Sequence, residues 1–253
     1  MIPFFARLGG KSKICKKIVK LIPKHTIYVE CFVGGGSVFL RKEKVEIEVI
    51  NDLCQDIVDL WTDLKESGHF VKEYIFSNSR KEFKLHKKNH TNDVKKRLYR
   101  NLYLSKFSFG GNRHSHAPNQ RTKCTLLKRD VDKYMSRLSD VIILCKDYKQ
   151  CIQEYDSINT FFYLDPPYES GQLHSWTYKP LNRSELREVL RGIKGKFLMS
   201  YENTCEIREY FKEFNLSTLE TFYSTGNRSN TNNKLNELII TNYKKENGHS
   251  SIE

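Results

Sequence analysis

Four consecutive residues, Asp165-Pro166-Pro167-Tyr168, follow the apolar run Phe161 to Leu164. Proline has a fixed φ and no N–H, so the pair stiffens the turn and leaves its carbonyls pointing outward as acceptors. Asp165 and the Pro166 carbonyl can together accept both hydrogens of an exocyclic amine while the Tyr168 ring stacks on the heterocycle that bears it. Asp-Pro alone is an ordinary turn starter. The full set at a strand end, downstream of a glycine turn, carries the chemical reading.

That glycine turn is Glu30-Cys-Phe32-Val-Gly34-Gly35-Gly36-Ser37, and Asp52 lies 22 residues after Glu30. Glycines after a first strand let a ligand approach the backbone, and an acidic residue ending the next strand is where a ribose hydroxyl pair would be held. Phe39 occupies the third glycine position of the dinucleotide fingerprint, which favours a nucleoside without a pyrophosphate over NAD. A tight turn in any α/β protein is the competing reading. Gly9-Gly10-Lys11-Ser12 imitates the end of a P-loop, but Phe5 stands where the first glycine is required and no strand precedes it. The phosphate reading is excluded, and Lys11 is kept as a ligand contact. No metal is expected: the seven cysteines include no C-x-x-C pair, and His114-x-His116 has no supporting second pair. The thiols are read as reduced and mostly buried.

Elements that would position these residues follow from periodicity. Ile14, Ile18, Val19 and Ile22 predict a helix over 13–22, ending before Pro23. Thr26–Glu30 is a strand, followed by the glycine turn and a helix from Ser37 to Arg41. Glu46–Ile50 is a second strand, with a helix from Leu53 to Leu64. Residues 70–107 read as helical and 108–124 as loop. Strands return at Val141–Cys145, Thr160–Asp165, Lys196–Tyr201, Leu216–Phe222 and Glu237–Tyr243. Helices over 182–192 and 204–213 would be capped by Asn182 and Thr204. Strands alternating with helices imply a mostly parallel sheet in an α/β fold, closed by an antiparallel pair.

The 253-residue chain carries a net charge of +13, and 38% hydrophobic residues suffice for a core. Residues 65–155 hold 21 Lys+Arg against 9 Asp+Glu, so nearly all the excess sits in one segment. Clustered Lys/Arg suits a polyanion, because it releases phosphate counterions; a solvated insertion is the bland alternative. No apolar run approaches a membrane span and the start has no signal-peptide character, so a soluble, intracellular protein without a membrane partner is expected.

Gly9-Gly10-Lys11, Phe32-x-Gly34-Gly35-Gly36, Asn51-Asp52 and Asp165-Pro166-Pro167-Tyr168, in this order and at these separations, resemble the Dam-type DNA N6-adenine methyltransferases. The resemblance spans most of the chain and is weakest across the basic segment. It implies a Rossmann-like sheet that uses S-adenosylmethionine, with a catalytic domain formed by 1–64 and 140–245, an inserted, mainly helical target-recognition subdomain at 65–139, and a frayed tail at 246–253. It further implies that Arg7, Gly9, Gly10 and Lys11 lie near the methionine part of the cofactor and that Phe32 to Ser37 form its pocket. Glu30 would face the amino group, Asp52 the ribose, and Asp147 and Tyr148 the adenine, with Asp165 at the boundary between cofactor and target base. Asp165, Pro166, Pro167 and Tyr168 would grip the target adenine. The family usually carries Trp or Tyr four residues before the lysine; here that residue is Arg7, and a ring contact would have to come from Phe4 or Phe5. Arg113, Arg121, Lys123, Asn227 and Arg228 are candidate contacts to double-stranded DNA. The expected reaction is methyl transfer to N6 of a flipped-out adenine at a short specific sequence. N4-cytosine methylation, RNA or protein methylation, and a catalytically silent DNA-binding module are the alternatives. Recognition sequence and oligomeric state are not legible.

Overall fold

The computed structural model describes residues 1–7, 9–120, 130–168, 181–222 and 234–244. The tail at 246–253 lies outside them, as do Arg121, Lys123, Asn227 and Arg228.

The apolar runs become seven strands: β1 (Ile27–Glu30), β2 (Ile47–Asn51), β3 (Ile142–Leu144), β4 (Thr160–Leu164), β5 (Lys196–Glu202), β6 (Asn215–Phe222) and β7 (Lys234–Thr241). They form one sheet in the order β3-β2-β1-β4-β5-β7-β6. Neighbours among β1 to β5 are parallel, whereas β7 runs antiparallel between β5 and β6. Every residue of β4 is buried, as a strand covered on both faces requires. This is the expected Rossmann-like arrangement with its closing antiparallel pair. The winding reverses between β1 and β4. In open α/β sheets the crevice for ligands opens there, beyond the carboxyl ends of the strands.

Eight α-helices accompany the strands among the described residues: α1 (Cys15–Val19), α2 (Gln55–Ser67), α3 (Arg80–Lys88), α4 (Val94–Lys106), α5 (Val131–Leu138), α6 (Tyr148–Tyr155), α7 (Arg183–Gly192) and α8 (Cys205–Tyr210). Asn182 accepts the Ser184 and Glu185 N–H groups, and Thr204 accepts that of Ile207, so both expected caps are made. Two helices fall short of expectation. The segment 13–22 is helical only over α1, because Lys17, Leu21 and Ile22 close tighter bonds to the third residue back. Residues 37–41 form successive turns instead of a helix: Leu40 and Lys42 donate to the fourth residue back, but Arg41 between them closes on Val38, the third back, so the helical ladder is interrupted.

Helices α3, α4 and α5 all lie on the long connection from α2 to β3. One apolar cluster joins Tyr28, Ile50, Phe161 and Leu198 of the sheet to Val71, Tyr74, Phe76, Leu102, Tyr103 and Phe107 of that connection. On the other face, Val29, Val49, Phe162 and Met199 pack with Leu186, Leu190 and Ile207 of α7 and α8. No helix among the described residues is long and apolar enough to cross a membrane.

Candidate active site

Glu30, Asp52 and Asp165 end, or directly follow, three strands, and the parallel register brings their turns to one edge. Asp52 receives two backbone N–H groups, Gly34 at 3.0 Å and Cys54 at 2.9 Å, and so ties the glycine turn to the end of β2. Beside it, the Asn51 amide spans the Cys31 and Lys146 carbonyls, each at 3.0 Å, locking the ends of β1, β2 and β3 together.

Two glycines in the turn have backbone conformations that L-residues rarely adopt, with φ +45° at Gly34 and +64° at Gly36. A Cβ on Gly36 would lie 2.7 Å from the Trp61 ring, while the Trp61 indole N–H donates to the Gly34 carbonyl at 2.9 Å. Ser37 is tied to Ser12 through their hydroxyls at 3.2 Å, and the Arg7 side chain lies over Gly34 and Gly35. Phe32 faces Tyr148 with ring centroids 5.5 Å apart, and the Tyr148 hydroxyl is buried without a hydrogen-bond partner. Asp147 caps α6, accepting the Lys149 N–H at 2.9 Å.

Glu30 is 2% exposed. Its carboxyl accepts the Tyr28 O–H at 2.6 Å and the Phe39 N–H. Burial pushes its pKa up to about 8, against the lowering effect of the Tyr28 hydrogen bond. A cation arriving beside this group would restore its charge.

Asp165 emerges from β4 with its carboxylate already engaged. The Lys11 ammonium lies 2.6 Å from Oδ1, and the Ser200 hydroxyl donates to the same oxygen at 3.1 Å. Ser200 in turn shares a 3.0 Å hydrogen bond with the buried Tyr163 hydroxyl. Lys11 also reaches Glu237 Oε1 at 3.2 Å and the Gly9 carbonyl at 3.3 Å, which occupies all three of its N–H donors. Tyr168 donates its O–H to the same Glu237 oxygen, packs on Tyr201 with centroids 5.1 Å apart, and has the Lys11 ammonium 4.8 Å from its ring centre. Burial pushes the Asp165 carboxyl up, with Lys11 opposing. Burial also works against the Lys11 charge, but Asp165 and Glu237 outweigh it and hold the amine above its ordinary value.

The sequence-predicted residues therefore divide. Lys11, Glu30, Phe32 to Ser37, Asp52, Asp147, Tyr148 and Asp165 to Tyr168 line the carboxyl edge of the sheet, with the turn at Arg7 to Gly10 against it. Phe4 and Phe5 do not offer a ring there, because they pack into the core against Tyr134 and Trp61. Nor is Arg113 presented at the surface. It is 6% exposed, and its guanidinium pairs with Asp56 at 2.9 Å and the Asn101 side chain at 2.7 Å. Its guanidinium is engaged inside the protein rather than offered at the surface. Sequence reasoning missed Ser200 and Glu237. Ser200 left a signal, a polar residue inside the apolar run of β5, whereas Glu237 left none, because β7 also carries Lys234, Asn236 and Thr241.

Residues 8–225 match the family described as D12 class N6 adenine-specific DNA methyltransferase. The type II methyltransferase M1.LlaDCHI of Lactococcus lactis subsp. cremoris is 24% identical, over 95% of this chain and 95% of its own. The type II methyltransferase M.CviBI of Paramecium bursaria Chlorella virus NC1A is 27% identical, over 96% and 100%. The DNA adenine methylase of Escherichia coli K12 is 23% identical, over 93% of each chain.

Proposed function

Because the chain belongs to the D12 class of N6 adenine-specific DNA methyltransferases, we propose that the carboxyl edge of β4 is where the target adenine is held and that the glycine turn after β1 holds the methyl donor. Family membership decides for adenine N6 over cytosine N4. The donor, S-adenosylmethionine, supplies a methyl group already activated by a positively charged sulfur.

The residues of the turn fit this donor. Gly34 and Gly36 adopt positive φ values that bring the turn's backbone close against Trp61 and Arg7, Glu30 is a buried carboxyl that an ammonium group would ionise, and Phe32 and Tyr148 offer aromatic faces. Asp52 ends β2 where a ribose would lie. Arg7 and Lys11 approach from the N-terminal segment, and Asp147 from the start of α6.

Adenine N6 is a poor nucleophile because its lone pair is delocalised into the ring. Asp165 and the Pro166 carbonyl, by accepting its two hydrogens, favour a tetrahedral nitrogen and free that lone pair. Alignment of amine and donor then supplies much of the acceleration, since effective molarities can reach about 10⁵ M or more. Asp165 accepts the hydrogen bond of the proton that N6 must lose. N6 is inaccessible inside a duplex, so double-stranded DNA must extrude the base at a cost of a few kcal/mol. Stacking on Tyr168 offsets part of it. Residues 65–139 are the DNA-holding part in this reading, together with Arg121, Lys123, Asn227 and Arg228. A short recognition sequence is expected of such a unit.

The observation that carries the reading is the Asp165 carboxylate, largely shielded at the end of β4 beside the switch point and held there by Lys11 and Ser200. Purified protein should transfer label from S-adenosylmethionine to unmethylated double-stranded DNA, and digestion to nucleosides should yield N6-methyladenine. N4-methylcytosine, or transfer to RNA or protein alone, would overturn it.

A further inference from the structure

Glu237 lies on β7, 226 residues from Lys11 in sequence, yet one of its oxygens receives both the Lys11 ammonium and the Tyr168 hydroxyl. Its side chain is 14% exposed, and those of Lys11 and Asp165 are 10% and 18% exposed. Water therefore screens this set poorly. A carboxylate shielded from water on an interior strand costs desolvation unless it is paired. Here its partners are the cation that touches Asp165 and the ring expected to stack on the base.

We propose that Glu237 is a positioning residue for methyl transfer: it holds Lys11 and the Tyr168 ring in register with Asp165. This rests on the placement of the target adenine against Asp165 and Tyr168 given above. Lys11 caps Asp165 Oδ1, an oxygen that an incoming amine needs as acceptor. An ammonium can leave a buried carboxylate only if its charge stays paired. With Glu237 3.2 Å away, Lys11 can shift its bond from one carboxylate to the other without entering water. Asp165 is then free to turn to the amine, while the same Glu237 oxygen keeps Tyr168 from rotating.

The test is methyl transfer to genomic DNA by full-length Glu237→Gln, which keeps an acceptor for Tyr168 but removes the charge from Lys11. Misplacing reacting groups by about 1 Å can cost on the order of 10²-fold, and a loss of that order in kcat is expected. The KM values for DNA and donor, the DNA dissociation constant and the melting temperature should stay near those of the parent. Because Glu237 acts through Lys11, adding Glu237→Gln to Lys11→Ala should cost little more than Lys11→Ala alone. Wild-type kcat in Glu237→Gln, or losses that simply multiply in the double variant, would overturn the inference. If Glu237→Gln fails to fold, Glu237→Asp, which retracts the carboxylate by one methylene, is read the same way. Asp165→Ala run in parallel separates the two levels: full activity there overturns the site itself, whereas an inactive Asp165→Ala beside an unaffected Glu237→Gln overturns only the role of Glu237.

Discussion

At the scale of single residues, two carboxyl groups of the proposed site sit in opposite electrostatic surroundings. Asp165 is kept beside a cation, and Asp165→Ala is expected to abolish methyl transfer while leaving the DNA dissociation constant within a few-fold of the parent. A binding assay beside a transfer assay checks it. Glu30 makes no ion pair among the described residues, and burial outweighs the lowering effect of Lys42 and pushes it up to about 8. Since this lies above the usual carboxylate value of about 4.3, its contribution to stability is complete below about pH 4. That contribution is lost as the pH rises through about 8. Glu30→Gln keeps an oxygen for Tyr28 and Phe39 but cannot ionise. Its melting temperature should fall less than the parent's between about pH 5 and pH 8, a difference of a few kcal/mol at about 1.4 kcal/mol per pKa unit. Parallel melting curves across that range would refute the assignment of a raised value. Asp165 and Glu30 were both legible in the sequence, as carboxylates at strand ends. Glu237 was not, because its meaning lies in contacts to Lys11 and Tyr168 that only the finished sheet creates.

At the scale of elements, the strands were readable because buried parallel strands are continuous apolar runs, as β4 shows. The helices were less so. Helix α6, of sequence Tyr148 to Tyr155, is largely polar and was not foreseen. Its start is fixed by Asp147, and Tyr148, Cys151 and Ile152 form its only buried stripe. The opposite error, a helix at 37–41, arose because no periodicity reveals that Arg41 closes on the third residue back and interrupts the ladder. The glycine turn is the element most exposed to a single change. Gly36→Ala forces an L-residue to φ +64° and drives its Cβ against Trp61. Strain of this kind costs about 1–3 kcal/mol, and overpacking adds to it. Lower stability in denaturant and weaker binding of S-adenosylmethionine in titration are expected, and unchanged values in both would mean the turn relaxes without consequence.

At the scale of the whole molecule, the charge asymmetry is the property that sequence made plainest. Affinity for double-stranded DNA should fall steeply with salt, with a slope of about 0.9 per neutralised phosphate in a log–log plot. Lys81, Lys84 and Lys88 of α3 are exposed, and changing all three to Gln should flatten that slope by up to about three units. A slope that does not move would put the DNA elsewhere. What composition concealed is how this basic connection is attached. The connection shares one apolar cluster with the sheet, from Phe161 through Trp61 to Tyr103. Ser105 donates its hydroxyl to the Ala6 carbonyl, and Gly111 approaches Ala6 so closely that a Cβ there would lie 2.4 Å from that oxygen. Amide hydrogens of α4 and β4 should therefore exchange through the same cooperative opening. If this connection holds DNA as proposed, grip and chemistry are then lost in one melting event, with no half-unfolded form that still binds DNA but cannot methylate it.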